Sequence, residues 1–132
     1  MASALNIMRE INLSVVVPFH NEQESLALLV KRLLMSIDNA GFTSYELIFI
    51  NDGSTDNSEL IISGFLKDND SISLVNLSRN FGHQAALTAG LELARGDLVF
   101  ALDADLQDPP ELLKSMHAKI FRGLGCCVWR TH

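Results

Sequence analysis

Apolar runs alternate along the chain with segments in which apolar residues recur at helical spacing. The near-continuous runs at 13–19, 45–50, 72–77 and 98–102 are typical of strands that are covered on both faces. The helical pattern predicts helices at about 21–41, 56–67, 83–94 and 108–122. Strict alternation of strands and helices favours parallel strands joined by crossovers. The predicted fold class is therefore α/β, a parallel-sheet α/β/α sandwich.

The composition excludes several functional classes. The chain has 132 residues, of which 48% are hydrophobic and 20% charged, as expected for one globular domain. Its net charge of -6 leaves no basic face for a phosphate backbone, so nucleic acid is not an expected partner. No window reaches the roughly 18 uncharged apolar residues of a membrane span, and the amino-terminal residues lack a secretory pattern. We therefore expect a cytoplasmic chain without a transmembrane segment.

Two carboxylates follow the fourth predicted strand. In an extended segment, residues two apart point the same way, so Asp103 and Asp105 can converge on one point, with Gln107 next. Such oxygen ligands suit Mg²⁺ or Mn²⁺, which usually keeps open positions for phosphate oxygens and so indicates a nucleotide diphosphate. The simpler interpretation is that the triplet is only a polar turn.

Polar residues also follow the other three strands, and the carboxyl ends of parallel strands meet at the ligand-binding edge of such a sheet. Asn21 can cap the first helix, and Glu22 follows it. Asp52 is placed to accept a hydrogen bond from a base-ring N–H. Arg79 is a reasonable partner for diphosphate charge. Each has a simpler interpretation as a helix start, a turn or a solvated side chain.

The sequence lacks the glycine-rich motifs that bind phosphate in other nucleotide-binding folds. The turn after the first strand lacks Gly-x-Gly-x-x-Gly, and the chain contains no Gly-x-x-x-x-Gly-Lys-Ser/Thr. His20 and His83 lie in the same loops, but loop histidines are more often solvated or capping, and we do not predict them as ligands. A metal ion is therefore expected to neutralise the diphosphate.

Four ordered segments resemble the family 2 glycosyltransferases of GT-A fold, and most closely the polyprenyl-phosphate (dolichol- and bactoprenol-phosphate) sugar transferases. They are VVVPFHNE (15–22), IFINDGSTD (48–56), NFG (80–82) and DADLQDPPE (103–111). Together with the loop residues above, the resemblance implies a nucleotide-sugar-binding set of Pro18, Asn21, Glu22, Asp52, Arg79 and Asp103. It implies metal ligands at Asp103, Asp105 and Gln107, and we assign no catalytic residue. Asn51 and His20 depart from the residues of many relatives, which leaves the base open.

The resemblance implies metal-dependent transfer of a sugar from a UDP- or GDP-linked donor to a lipid phosphate, in relatives often located at the cytoplasmic face of a membrane. It covers about residues 11–121, whereas family members continue into a second half that binds the acceptor. We therefore expect 1–132 to be an incomplete donor-binding domain, truncated after the fourth strand and its helix. Residues 123–132 do not resemble a fifth strand, and the open edge favours self-association. The alternative is an inactive nucleotide-binding fragment.

Overall fold

The computed structural model of the chain describes residues 11–105 and the backbone of residues 128–130. The described strands are β1 (Leu13–Phe19), β2 (Tyr45–Asn51), β3 (Ile72–Asn76), β4 (Leu98–Ala101) and β5 (Val128–Arg130). The described helices are α1 (Leu26–Ala40), α2 (Ser58–Leu66) and α3 (His83–Leu93). The predicted helix at 108–122 lies outside the described residues. None of the three helices is long and apolar enough to cross a membrane.

The strands form one sheet in the order β3-β2-β1-β4-β5. β1 pairs in parallel with both β2 and β4, and β2 pairs in parallel with β3. The parallel α/β fold predicted from the sequence is therefore confirmed. The alternation of apolar and β-branched runs with helices was sufficient to predict it, because the central strands β1 and β2 are buried along nearly their whole length.

The fifth strand corrects one expectation. The backbone of Val128–Arg130 pairs antiparallel with Leu98–Phe100 of β4. The sequence of 123–132 does not resemble a strand, yet Val128–Arg130 forms one, and it pairs with the edge of β4 that we expected to lack a partner. A three-residue strand is too short to show a hydrophobic period, so the sequence pattern could not reveal its pairing with β4.

Helices cover both faces of the sheet. Side chains of Val15, Val17, Leu47 and Phe49 pack on one face with α1 and with Ile62 of α2. Val16, Ile48, Ile50 and Val99 point to the other face and pack with Ala86 of α3. Each large apolar side chain buried in this way contributes about 1.5–3 kcal/mol to folding. This packing fixes the strand ends, and therefore the loops that follow them.

The start of α1 differs from the prediction. The helix begins at Leu26 with Ser25 as N-cap, so Asn21 does not cap it. Asn21 has a φ of 53°, a left-handed conformation that ends β1 and turns its side chain toward the neighbouring loop. The predicted end of the helix is confirmed, since Gly41 is the C-cap with a φ of 86°.

Two helical glycines provide a matched test of the packing between α3 and the sheet. A Cβ at Gly90 would lie 2.2 Å from Cγ1 of Val16, whereas a Cβ at Gly64 meets nothing within 4 Å. Gly90→Ala is therefore expected to lower the free energy of unfolding by about 1–3 kcal/mol through overpacking. Gly64→Ala is expected to raise it by about 0.5–1 kcal/mol through helix propensity. Urea denaturation checks both, and changes of the same sign in the two variants would contradict the close α3–β1 packing.

Candidate active site

A cavity of about 500 Å³ lies at the carboxyl edge of the sheet, beside the start of α3. Five of the predicted site residues line it: Pro18, Glu22, Asp52, Asp103 and Asp105. They come from the ends of three different strands. The structure therefore brings most of the predicted residues into one site, as the parallel arrangement of the strands requires.

The acidic turn after β4 is held by burial of alternate residues. Leu102 and Ala104 are buried in the core, with 2% and 4% of their surfaces exposed, while Asp103 and Asp105 line the cavity. The Leu102 amide donates to the Val16 carbonyl oxygen at 3.0 Å. The chain begins to turn at Ala104, so packing of Ala104 rather than continued extension holds the two carboxylates on the cavity side. Gln107 lies outside the described residues.

The carboxylate oxygens of Asp103 and Asp105 are suitable ligands for a hard divalent cation. Mg²⁺ and Mn²⁺ prefer carboxylate oxygens, and Mg²⁺ is commonly held by one or two carboxylates together with water and substrate phosphates. Within residues 11–105, no third acidic, histidine or cysteine side chain completes a group of three that could hold a metal.

Asp52 braces the loop between β3 and α3. Its side chain is buried, and its two carboxylate oxygens accept hydrogen bonds from the amides of Phe81, at 2.8 Å, and Gly82, at 3.1 Å. Close approach of the loops explains the adjacent glycine: Gly53 has a φ of 70°, and a Cβ there would lie 2.4 Å from the amide nitrogen of Asn80. The second and third loops are thus fitted against each other around one carboxylate.

Asn21 ties the first loop to the second. Its Oδ1 accepts hydrogen bonds from the amides of Thr55, at 2.8 Å, and Asp56, at 3.3 Å, and its own amide donates to Ser54 Oγ at 3.0 Å. It is not among the described residues that line the cavity. In the same loop, slight burial raises the pKa of Asp56, but hydrogen bonds from the side chain and backbone of Ser58 and from the backbone of Gln23 outweigh it and lower that pKa.

Of the two side chains Arg79 and His83, the sequence favoured Arg79 as a site residue, but the structure places His83 at the cavity. The Arg79 guanidinium lies 4.3 Å from the centre of the exposed Phe81 ring, and Arg79 is not among the described residues lining the cavity. His83 does line it, and its Nε2 lies 3.5 Å from Oδ1 of Asp103. His20 lines it too, with Nδ1 donating to the Asp52 carbonyl oxygen at 2.8 Å.

Neither histidine was predicted as a site residue, because a histidine in a loop is more often solvated or capping than bound to a ligand. The available signal for His83 was its position directly after Gly82 at a helix start, which places a side chain over the end of the sheet. For His20, the signal was its position directly after a strand. Neither signal distinguishes a site residue from a capping one without the three-dimensional arrangement.

Comparisons with known proteins agree with this geometry. Residues 14–131 match the family model described as glycosyl transferase family 2. An uncharacterized glycosyltransferase of Synechocystis sp. is 45% identical over 106 residues, covering 80% of this chain and 33% of that protein. An undecaprenyl-phosphate 4-deoxy-4-formamido-L-arabinose transferase of Shewanella sediminis is 45% identical over 111 residues, covering 83% and 33%.

A solved structure shares the fold. TarS 1-349 of S. aureus in complex with UDP-GlcNAc superposes with a TM-score of 0.65 at 26% identity, covering 85% of this chain and 32% of that one. The chain spans about a third of the length of the curated relatives that it matches. The family match over most of the chain, the identity to these relatives and the parallel sheet with its acidic cavity lead to one conclusion: the chain belongs to glycosyl transferase family 2 and has the GT-A fold.

Proposed function

We propose that the cavity binds a nucleotide diphosphate sugar together with Mg²⁺ or Mn²⁺, and that the chain is the donor-binding part of an enzyme that transfers the sugar to a polyprenyl phosphate. The observation that carries the proposal is the placement of Asp103 and Asp105 in one cavity at the carboxyl edge of the sheet. The Shewanella sediminis relative, named for an undecaprenyl-phosphate acceptor, supports the acceptor class. The UDP-GlcNAc complex of TarS supports the donor class.

Asp103 and Asp105 would hold the cation, with Gln107 as the third protein ligand. A bound divalent cation offsets the charge of the diphosphate and stabilises it as it leaves the sugar. Four carboxylates line the cavity, those of Glu22, Asp52, Asp103 and Asp105, so an anionic donor would be repelled without such a cation. The protein groups and the metal are therefore expected to bind the donor only together.

The nucleotide would lie against Pro18, Glu22 and Asp52, which line the same cavity. An ionised carboxylate offers about four acceptor positions, so the two amide hydrogen bonds to Asp52 leave room for a donor from a base. We assign the diphosphate contact to His83, which lines the cavity beside Asp103, in preference to Arg79, which lies over Phe81. Asn21 contributes by fixing the loop.

A phosphate acceptor reduces the need for a general base. The attacking oxygen of a polyprenyl phosphate is already ionised at neutral pH, so the reaction needs positioning and charge stabilisation more than proton removal. Because a polyprenyl phosphate is a lipid, the proposed reaction would take place at a membrane surface, and we propose the cytoplasmic side. We favour a transferase over an inactive nucleotide-binding fragment because the acidic turn and the loops around it form one continuous cavity.

Calorimetry with UDP and GDP tests the proposal. We expect binding in the presence of Mn²⁺ or Mg²⁺, loss of binding in EDTA, and recovery on addition of excess metal, because the carboxylates repel the diphosphate unless a cation lies between them. UMP, which lacks the second phosphate, is the matched control and should bind more weakly. Undiminished binding of UDP or GDP in EDTA would contradict the metal-dependent site.

A further inference from the structure

Ser25 connects the first loop to the acidic turn. Its hydroxyl donates to the Ala104 carbonyl oxygen at 2.9 Å, across 79 positions of sequence. Oγ of Ser25 also lies 3.2 Å from Oε2 of Glu22 and 3.4 Å from the carbonyl oxygen of Glu22. Because the hydroxyl has one proton and the Ala104 carbonyl oxygen is the nearest of these three acceptors, we assign the proton to the hydrogen bond with Ala104. Ser25 therefore joins the loop after β1, which carries the cavity residue Glu22, to the turn that carries Asp103 and Asp105.

The hydroxyl is not used for the role that a serine at this position usually has. Ser25 is the N-cap of α1, where a serine side chain commonly accepts a hydrogen bond from an amide of the first turn. Here no side-chain capping hydrogen bond forms. The helix start is instead made by backbone hydrogen bonds, with the amides of Ser25 and Leu26 donating to the Glu22 carbonyl oxygen at 3.1 Å. The side chain makes its shortest hydrogen bond to the acidic turn instead.

Ala104 is the residue through which such a contact affects both carboxylates. It lies between Asp103 and Asp105, and its own side chain is buried in the core. With the side chain fixed by packing and the carbonyl oxygen fixed by Ser25, the peptide planes on either side of Ala104 have little freedom. The directions of the flanking carboxylates depend on those planes.

We propose that Ser25 is a positioning residue for the cation site, holding the Asp103-Ala104-Asp105 turn in the geometry that binds the metal. The inference rests on the proposed function, because it assumes a divalent cation at Asp103 and Asp105. Groups that orient metal ligands typically change metal affinity by about 10–100-fold when they are removed. Ser25→Ala should therefore weaken Mn²⁺ binding by about tenfold or more.

Electron paramagnetic resonance of free Mn²⁺ during titration measures this affinity directly, without turnover. Ser25→Thr keeps a hydroxyl and is expected to restore most of the lost affinity. Ser25→Gly removes the hydroxyl but is well tolerated at an N-cap, so it tests the proposal if the alanine variant folds poorly. Ser73→Ala is the control, since Ser73 also donates its hydroxyl to a backbone carbonyl, that of Leu47 at 3.4 Å, but on β3. It should leave Mn²⁺ affinity unchanged.

The outcomes separate this inference from the function on which it rests. Wild-type Mn²⁺ affinity in a folded Ser25→Gly or Ser25→Ala variant would overturn the role of Ser25 and leave the metal site intact. Failure of the unsubstituted chain to bind Mn²⁺ would overturn both. Equal losses in Ser25→Thr and Ser25→Ala would also overturn it, because they would show that shape and not the hydroxyl matters.

Discussion

Asp103→Asn is expected to remove most of the Mn²⁺-dependent affinity for UDP or GDP, a loss on the order of a hundredfold. The substitution keeps the size of the side chain but replaces a charged oxygen ligand by a neutral one. It also reduces repulsion among the carboxylates that line the cavity. The metal-free chain should therefore melt at the same temperature as the unsubstituted chain or higher, whereas the rise in melting temperature on adding Mn²⁺ and nucleotide should disappear.

Neighbouring positions supply the controls. Asp105→Ala should also lose metal affinity, and by more than Gln107→Ala, since the first removes a charged ligand and the second a neutral one. Asp70→Asn changes an exposed carboxylate next to β3, away from the cavity, and should change nothing. Equal losses in Asp105→Ala and Gln107→Ala would mean that the ligand set is assigned incorrectly. An Asp103→Asn chain that still binds nucleotide only with Mn²⁺ would exclude Asp103 as a ligand.

The four parallel strands and the location of the site could be predicted because both follow from local patterns and one general rule. A run such as Leu13–Phe19 is apolar at nearly every position because both of its faces are buried, so its sequence alone indicates a central parallel strand. Parallel strands place their carboxyl ends together, which is why Glu22, Asp52 and Asp103, distant in sequence, line one cavity.

The roles of individual loop residues could not be predicted in the same way, because they depend on contacts between loops. Asparagine is common at N-caps, and Asn21 precedes a helix. Its left-handed backbone nevertheless turns its side chain toward the amides of Thr55 and Asp56. Arg79 is the obvious cation, yet its guanidinium lies over Phe81.

A buried network at the opposite edge of the sheet was missed for the same reason. Glu46 occupies a predicted strand and is buried, accepting hydrogen bonds from Ser14 Oγ and the Arg95 amide. Charged residues are rarely buried without a partner. No local pattern indicates that a strand glutamate will find partners on two other segments.

Asp52 both holds a neighbouring loop and lines the cavity. Asp52→Asn is expected to lower the free energy of unfolding by about 1–3 kcal/mol. Both oxygens of the buried carboxylate accept backbone amides, from Phe81 and Gly82. An asparagine can accept only one of them, because its amide nitrogen would face the other N–H and leave it without an acceptor. At this chain length, such a loss corresponds to a fall in melting temperature of several degrees.

Asp56→Asn is the matched control, since it makes the same chemical change in the same loop. Asp56 also accepts two backbone amides, those of Ser58 at 2.9 Å and Gln23 at 3.3 Å, and an asparagine would lose one of them. Asp56 is less buried than Asp52, so water can replace the lost acceptor, and we expect a smaller effect. Thermal melting and Mn²⁺ titration distinguish the possible roles of Asp52. As a brace, Asp52→Asn lowers the melting temperature and weakens nucleotide binding, but leaves affinity for Mn²⁺ alone nearly intact, because Asp103 and Asp105 belong to a separate turn. If Asp52 served only as a contact to the base, nucleotide affinity would fall while the melting temperature stayed unchanged, and the hydrogen bonds to Phe81 and Gly82 would contribute nothing to stability.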